Sequence, residues 1–510
     1  MKKMNRRMYI KSSVMATGSF ALSSVPFKKL LSKGDHSVTR LMLDDDGSNF
    51  ICNLGEDIAQ SVADAVHDCP SDVTTYLLCS AAGTCNYPTR IGCVYPKAQA
   101  VHDRGFDPFG MLLRGLKAAG KETFITYRMN DVHNPTDADQ WNTPRIRREH
   151  PESVVGLDEI KAGKAQWMSY CLDYSLPEVR QYVLDLIAEQ VKMYGDTLDG
   201  FQLDWMRFPR HLSGTPEEVW TKRDIITEFT RDVRSILNKG GRKILLSVRV
   251  PTTPAGCKRL GFDLEAWGKQ HLVDMVILCP FLTTEWLLPF GDIRSLLSNP
   301  EIIVIGGFDL GFGWQPHFPE SLRGITSALY DCGSEGVYLF NFPCWIEYLV
   351  ARPYHWLSGL GNPRTAAVKP MLLAVEHSNH KMADIDQPWQ LPMVLPSRET
   401  VDLTIYVPRI ALPTRKAMIL VHSHGDIMLN VNERSVMEVR FHDSSVGAYR
   451  NALFMEITLP DWKPEGTVKL EDYRVFRLDD QALVSGVNHL RLKNLTDREL
   501  EIERVNLGLW

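Results

Sequence analysis

Between residues 39 and 360, short β-branched or apolar runs alternate with stretches whose apolar positions recur every three or four residues. The first kind predicts strands at Thr39–Asp44, Val73–Ser80, Glu122–Asn130, Gly200–Asp204, Ile244–Val250, Met275–Pro280, Ile302–Gly307 and Gly336–Phe342. The second predicts helices at Ile58–Asp68, Pro108–Ala119, Pro177–Tyr194, Pro216–Asn238, Leu264–Gln270 and Glu320–Cys332. Strands joined by helices imply a parallel sheet with crossover helices. Eight strands over residues 38–362 fit a (β/α)8 TIM barrel better than an open doubly wound sheet. No Gly-x-Gly-x-x-Gly follows the first strand, which removes the usual dinucleotide-binding reading.

Strand parity says where the polar groups go. Gln202 and Asp204 share one face of the fourth strand, and Thr126, Arg128 and Asn130 one face of the third. In the fifth strand Leu245, Ser247 and Arg249 alternate with Leu246, Val248 and Val250. With a period of two, each polar set can point into the barrel while its apolar neighbours meet the helices. The polar residues thicken toward the strands' C-terminal ends, where barrel enzymes build their sites. A break at Leu360–Arg364 follows, and the pattern changes to short alternating strands: Val401–Val407, Ala417–His422, Ser435–Phe441, Ala452–Leu459, Asn488–Leu492 and Glu501–Leu509. Residues 368–510 are therefore expected to form an all-β sandwich. Gly486–Leu492 resembles the penultimate strand of β-sandwich modules attached to carbohydrate-active enzymes, which leaves a structural cap and a sugar-binding module both open.

The first 30 residues read as an address. Lys2, Lys3, Arg6, Arg7 and Lys11 precede a weakly apolar stretch, Val14–Phe27, and Asn5–Lys11 resembles a twin-arginine export signal. That resemblance implies an exported protein, periplasmic or extracellular, with no stable membrane span once the signal is removed. The whole chain has 510 residues, 44% apolar and 23% charged, with a net charge of −5, which excludes disordered, collagenous and polytopic membrane classes. No long basic run marks a nucleic-acid partner. The ten cysteines include no Cys-x-x-Cys pair, against a zinc ribbon or an iron–sulfur cluster, whereas Cys85 and Cys93 share one loop and could be joined after export.

The densest chemistry lies in Leu172–Arg180 and Asp199–Pro209. A Pro-x-Val-Arg helix start, an Asp-Gly-Phe-Gln-Leu-Asp strand and a following aromatic-Pro resemble the glycosyl-hydrolase-10-like family of bacterial barrel proteins. The Asp-Gly-Phe-x-x-Asp core is also similar to strand four of the α-amylase and α-galactosidase clans. The resemblance implies a glycoside hydrolase acting on a poly- or oligosaccharide, with Asp204 as nucleophile or general base. Such an enzyme needs a second carboxyl, protonated, across the scissile bond. Glu285, after the sixth strand, and Asp131, after the third, are both candidates. Arg128, Asn130, His133, Arg207, Arg249, Asp309, Asn341 and Asp46 are expected to bind sugar hydroxyls, and Trp205, Trp286 and Trp314 to stack on sugar rings. Asp44-Asp45-Asp46 reads as a turn and helix cap with one acid facing the site, rather than as a metal centre, and no cofactor is expected. The alternative is a non-catalytic carbohydrate-binding or cell-surface barrel. The sequence leaves the oligomeric state undetermined.

Overall fold

The computed structural model describes residues 39–133, 136, 140–309, 311–312, 315–347, 353–366, 370–377, 389–411, 416–439, 473–479 and 481–510. The export segment, Trp314 and the strand expected at Ala452–Leu459 lie outside the described residues. Among those described, no helix is long and apolar enough to cross a membrane.

Eight parallel strands form the first part of the chain: β1 (Arg40–Asp45), β2 (Thr75–Ala82), β3 (Glu122–Arg128), β4 (Gly200–Asp204), β5 (Leu245–Val250), β6 (Met275–Leu278), β7 (Ile303–Phe308) and β8 (Gly336–Leu339). Each pairs with its successor, and β1 pairs with both β2 and β8, so the sheet closes into a TIM barrel. Helices that include α1 (Ile58–Asp68), α2 (Pro108–Ala118), α3 (Pro177–Tyr194), α4 (Arg223–Asn238), α5 (Leu264–Lys269), α6 (Phe290–Leu297) and α7 (Pro319–Cys332) connect the strands. Local sequence fixes several helix starts. Asp57 accepts the Gln60 N–H, Asp107 accepts the Gly110 N–H, and Pro occupies the first turn of α2, α3 and α7.

The helix expected over Pro216–Asn238 is two helices. Pro216–Thr221 starts from a Thr215/Glu218 capping box and stops at Lys222, whose backbone leaves helical geometry while its Nζ reaches the Ser213 carbonyl at 2.7 Å.

The expected parity holds around the barrel. Leu41, Leu43, Ile125, Phe201, Leu203, Leu246, Val248, Val276 and Val304 join the buried cluster shared with the helices. Met42, Leu77, Phe124, Met275, Ile277, Ile305 and Tyr338 form a separate cluster inside the barrel. This apolar plug fills the lower and middle barrel, so only the C-terminal end can hold chemistry.

The rest of the described chain is β-rich and antiparallel. One five-stranded sheet contains β9 (Met371–Ala374), β11 (Ala417–His422), β13 (Tyr473–Leu478) and β15 (Val505–Leu509), and a four-stranded sheet contains β10 (Thr400–Val407), β12 (Ile427–Val431) and β14 (Gly486–Asn494). In β14, Leu490 and Leu492 are buried while His489, Arg491 and Lys493 are exposed, the alternation of a sheet with one wet face. The strand expected at Glu501–Leu509 is divided near Arg504. Leu500–Ile502 pairs with Met393–Leu395, whereas β15 pairs with β9 and β11, so the chain changes sheets there.

The two parts are packed together through α7. A Cβ on Gly324 would lie 2.0 Å from the Leu372 carbonyl oxygen, so only glycine lets this helix approach β9 so closely. Buried Asp331 on α7 accepts from the Tyr406 hydroxyl at 2.6 Å, from the Arg409 N–H at 3.0 Å and from the Arg409 guanidinium at 2.8 Å. Asp331→Ala is expected to lower stability by about 2–4 kcal/mol, because it strands a buried hydroxyl and an amide. Urea unfolding followed by tryptophan fluorescence measures this, and an unchanged midpoint would show that the junction does not depend on Asp331.

Candidate active site

Three strands end in register on charged residues that face the barrel axis: Arg128 of β3 lies opposite Asp204 of β4, which lies opposite Arg249 of β5. Asp204 Oδ2 pairs with Arg249 Nη1 at 3.1 Å, and its Oδ1 accepts the N–H groups of Met206 and Arg207 at 2.9 and 3.1 Å. The Arg249 guanidinium lies over the Phe340 ring at 3.7 Å and donates to the Pro280 carbonyl at 2.7 Å. These contacts hold Asp204 rigidly. They also close it in: Asp204 is 1% exposed, not open to a wide hollow.

A second carboxyl faces this layer from β1. Asp44 has the same parity as Met42 and points inward, whereas Asp45 points outward and accepts from Tyr76 at 2.5 Å and from the Gly47 N–H at 3.0 Å. Both Asp44 oxygens are buried with no hydrogen-bond partner. Tyr338 stands close enough to favour the Asp44 anion, but its hydroxyl donates to Gln202 Oε1 at 3.1 Å, beside Thr126. Burial first, then the charge of Asp204, push the Asp44 pKa up to about 7, against the opposing pull of Arg128, Arg249 and Tyr338. Asp44 joins Asp46 at this end of the barrel, and the charges of both act on Arg128. Asp46 Oδ1 also accepts the Asn49 N–H at 2.8 Å, at the start of the helix Ser48–Cys52. Of the three neighbouring acids only Asp45 turns away, to Tyr76 and the Gly47 N–H. The signal for Asp44 was the same strand alternation that placed Asp204.

Asp131 cannot serve as the proton donor expected of it. Arg128 Nη1 and His133 Nε2 each lie 2.8 Å from its oxygens, and Arg207 Nε lies 3.7 Å away. Burial works to raise its pKa, but Arg207, His133 and Arg128 outweigh burial and hold the carboxyl well below the usual carboxylate range. Glu285 lies in the connection after β6, buried, where the Thr252 hydroxyl donates to its Oε2 at 2.5 Å.

Several expected sugar contacts are structural. Trp205 is fully buried and packs against Tyr174, His211, Phe229 and Phe262, on the helix side of the wall. Trp286 is equally buried, beside His317. Neither offers a ring face to a ligand. Large rings beside a strand end fill the gap between wall and helices as readily as they line a site, and sequence spacing does not separate the two roles. Asn130 is also used up: its carbonyl accepts the Leu172 N–H at 2.7 Å and its amide faces the Arg210 carbonyl and the His211 ring.

Others stay at the mouth. Asn341 Oδ1 accepts from Arg128 Nη2 at 2.9 Å, and Asp309 anchors the Leu282 N–H at 3.1 Å while its charge reaches Arg249. Phe208, Leu282 and Asn341 have φ of 51°, 56° and 51° in the loops after β4, β6 and β8, a left-handed geometry that costs non-glycine residues energy. Cys85 and Cys93 exchange a backbone hydrogen bond of 2.8 Å, but their thiols are not joined.

No family model matches the sequence, and no curated protein matches it. Solved structures do. The glycoside hydrolase domain of PgaB (BpsB) from Bordetella bronchiseptica is 12% identical, with 64% of this chain and 98% of that chain covered and a TM-score of 0.41. A bacterial fucosidase is 11% identical over 87% of this chain and 82% of its own, with a TM-score of 0.36. The β-galactosidase of the psychrophilic Marinomonas ef1 is 12% identical over 59% and 54%, with a TM-score of 0.37. These neighbours are glycoside hydrolases, at an identity where no residue role can be carried across. The site is read from its own side chains.

Proposed function

We propose that this chain is a glycoside hydrolase whose working carboxyls are Asp204 and Asp44. A single observation carries the reading: one layer at the barrel's C-terminal end holds a carboxylate paired with Arg249 and a second carboxyl, Asp44, that burial and the charge of Asp204 push up to about 7. A carboxylate held by an arginine and a second carboxyl able to carry a proton are what acid-assisted cleavage of a glycosidic bond needs. Asp44 would give its proton to the leaving oxygen as the C–O bond breaks. Asp204 would attack the anomeric carbon or take a proton from the attacking water. The same reading takes residues 1–30 as an export signal, so the substrate is met outside the cytoplasm.

The test is a panel of oligo- and polysaccharides incubated with the full chain and with Asp204→Asn, Asp44→Asn and Glu285→Gln. Turnover by the wild type, lost in the two Asp variants and kept by Glu285→Gln, supports the assignment. Loss in Glu285→Gln with Asp44→Asn active moves the acid to Glu285.

The near-complete burial of Asp204, with Arg249 and two amides already satisfying it, favours a second reading, a non-catalytic sugar-binding barrel. Glycan binding without hydrolysis on the same panel would establish that reading instead.

A further inference from the structure

Beside the buried layer, the loops after β3 and β4 build a cluster that neither strand parity nor the carboxyl pair accounts for. Trp167, on the single helical turn Trp167–Tyr170, is half exposed, yet its indole N–H donates to the Val132 carbonyl at 2.5 Å, which fixes the ring. It lies 5.4 Å from the Phe208 ring, and His133, 43% exposed in its side chain, stands edge-on to both. The Arg207 guanidinium lies over Phe208 at 4.8 Å and faces Phe281 at 5.8 Å.

Arg207 is short of acceptors. Its Nε is buried without a hydrogen-bond partner, and the nearest carboxylate oxygen, on Asp131, is 3.7 Å away. Its Nη2 sits 3.2 Å from His133 Nε2, a single ring nitrogen that also stands 2.8 Å from Asp131 Oδ1 and can accept from Arg207 only when it carries no proton. Asp131 therefore serves two guanidiniums and an imidazole at once, and Arg128 holds it at the shortest arginine distance. A guanidinium with spare planar donors, 12% exposed beside a fixed aromatic face, suits a planar or tetrahedral anion carried on a ring.

We infer that Arg207, His133 and Trp167 form a subsite for an acidic sugar, with Trp167 against the ring and Arg207 on its carboxylate or sulfate. The inference rests on the reading of the barrel mouth as a carbohydrate site and names the class of glycan it takes. Electrostatics and stacking act together here. Neutral sugars would gain only the stacking contact, so selectivity for acidic sugars comes from Arg207.

The experiment is titration calorimetry on the full chain carrying Asp44→Asn, which slows turnover about 10²–10³-fold if Asp44 is the acid. The probes are galacturonate oligosaccharides, their carboxyl-reduced neutral counterparts and sulfated galactan oligosaccharides. Acidic probes are expected to bind at least about 10-fold more tightly than neutral ones. That preference should shrink as salt rises, vanish in Arg207→Gln and persist in part in Arg207→Lys, and Trp167→Ala should weaken acidic and neutral probes alike. The carboxylate and sulfate arms show which anion fits. Equal binding of acidic and neutral probes, binding of neither, or an acidic preference untouched by Arg207→Gln overturns the inference. The salt series needs no change at Arg207, so a misfolded variant does not spoil the test. Arg207-dependent binding with no hydrolysis of any glycan by the wild type would leave the subsite standing and remove the enzyme. Hydrolysis restricted to neutral glycans would do the reverse.

Discussion

Asp204→Asn is expected to lower glycan hydrolysis by about 10³-fold or more and, at the same time, to destabilise the protein by about 3–5 kcal/mol. The two losses share an origin. Asparagine keeps the shape of the side chain and can still accept the Met206 and Arg207 N–H groups, so the turn after β4 survives. What disappears is the negative charge against Arg249, whose side chain is wholly buried. A guanidinium that has lost its paired carboxylate in that position is costly, and the more distant charge of Asp309 and the bond to the Pro280 carbonyl do not replace the ion pair. The double variant Asp204→Asn/Arg249→Met should recover most of the stability and none of the activity, since removing both charges also removes the penalty. Denaturant midpoints for the three proteins, with rates measured on samples shown to be folded, separate the effects. If Asp204→Asn turned over glycans at the wild-type rate, Asp204 would be no more than the partner that allows Arg249 to be buried.

The barrel was legible because its strands keep a period of two and the helices a period near four; only β2 breaks the first rule, at a register shift between Cys79 and Ala81. The same parity placed Gln202, Asp204, Ser247 and Arg249 inside. Applied to Arg40–Asp45, it separates inward Asp44 from outward Asp45, but three consecutive acids look alike until the strand's end is known. Loops carry no such period, and misplacement concentrates there. Trp205, one residue past its strand, falls on the outward parity and joins the helix layer, while Trp167, in a connection without periodicity, reaches the mouth. Asp131 illustrates a different limit. It stands after the third strand as read, but its protonation depends on Arg128, Arg207 and His133, which the fold assembles from two loops and a strand end.

Asp44→Asn should act on stability in the opposite sense from Asp204→Asn. The Asp44 carboxyl, ordinarily near 3.8, is pushed up to about 7 by burial and by Asp204. Between about pH 4 and pH 7 the folded chain therefore holds a proton that the unfolded chain has released, so stability falls as pH rises through that window and levels off above it. Three pKa units correspond to about 4 kcal/mol, an order-of-magnitude figure. Asparagine cannot ionise. Its variant should match the wild type near pH 4 and exceed it in stability by up to about 4 kcal/mol at pH 8. Glu376, also buried and also pushed up to about 7, adds a slope of the same sign, so flattening the profile requires Glu376→Gln as well. Activity should move the other way. Wild-type kcat/KM is expected to decline above about pH 7 as Asp44 loses the proton it must donate, and Asp44→Asn should fall by about 10²–10³-fold and lose that alkaline limb. Thermal or urea unfolding from pH 4 to pH 8, set beside the pH–rate profile, tests both halves. A variant more stable at pH 8 but fully active would show that Asp44 is a buried acid the chemistry does not use. A protein that is stabilised and silenced by one change would mark a group kept, at a cost to the fold, for the reaction.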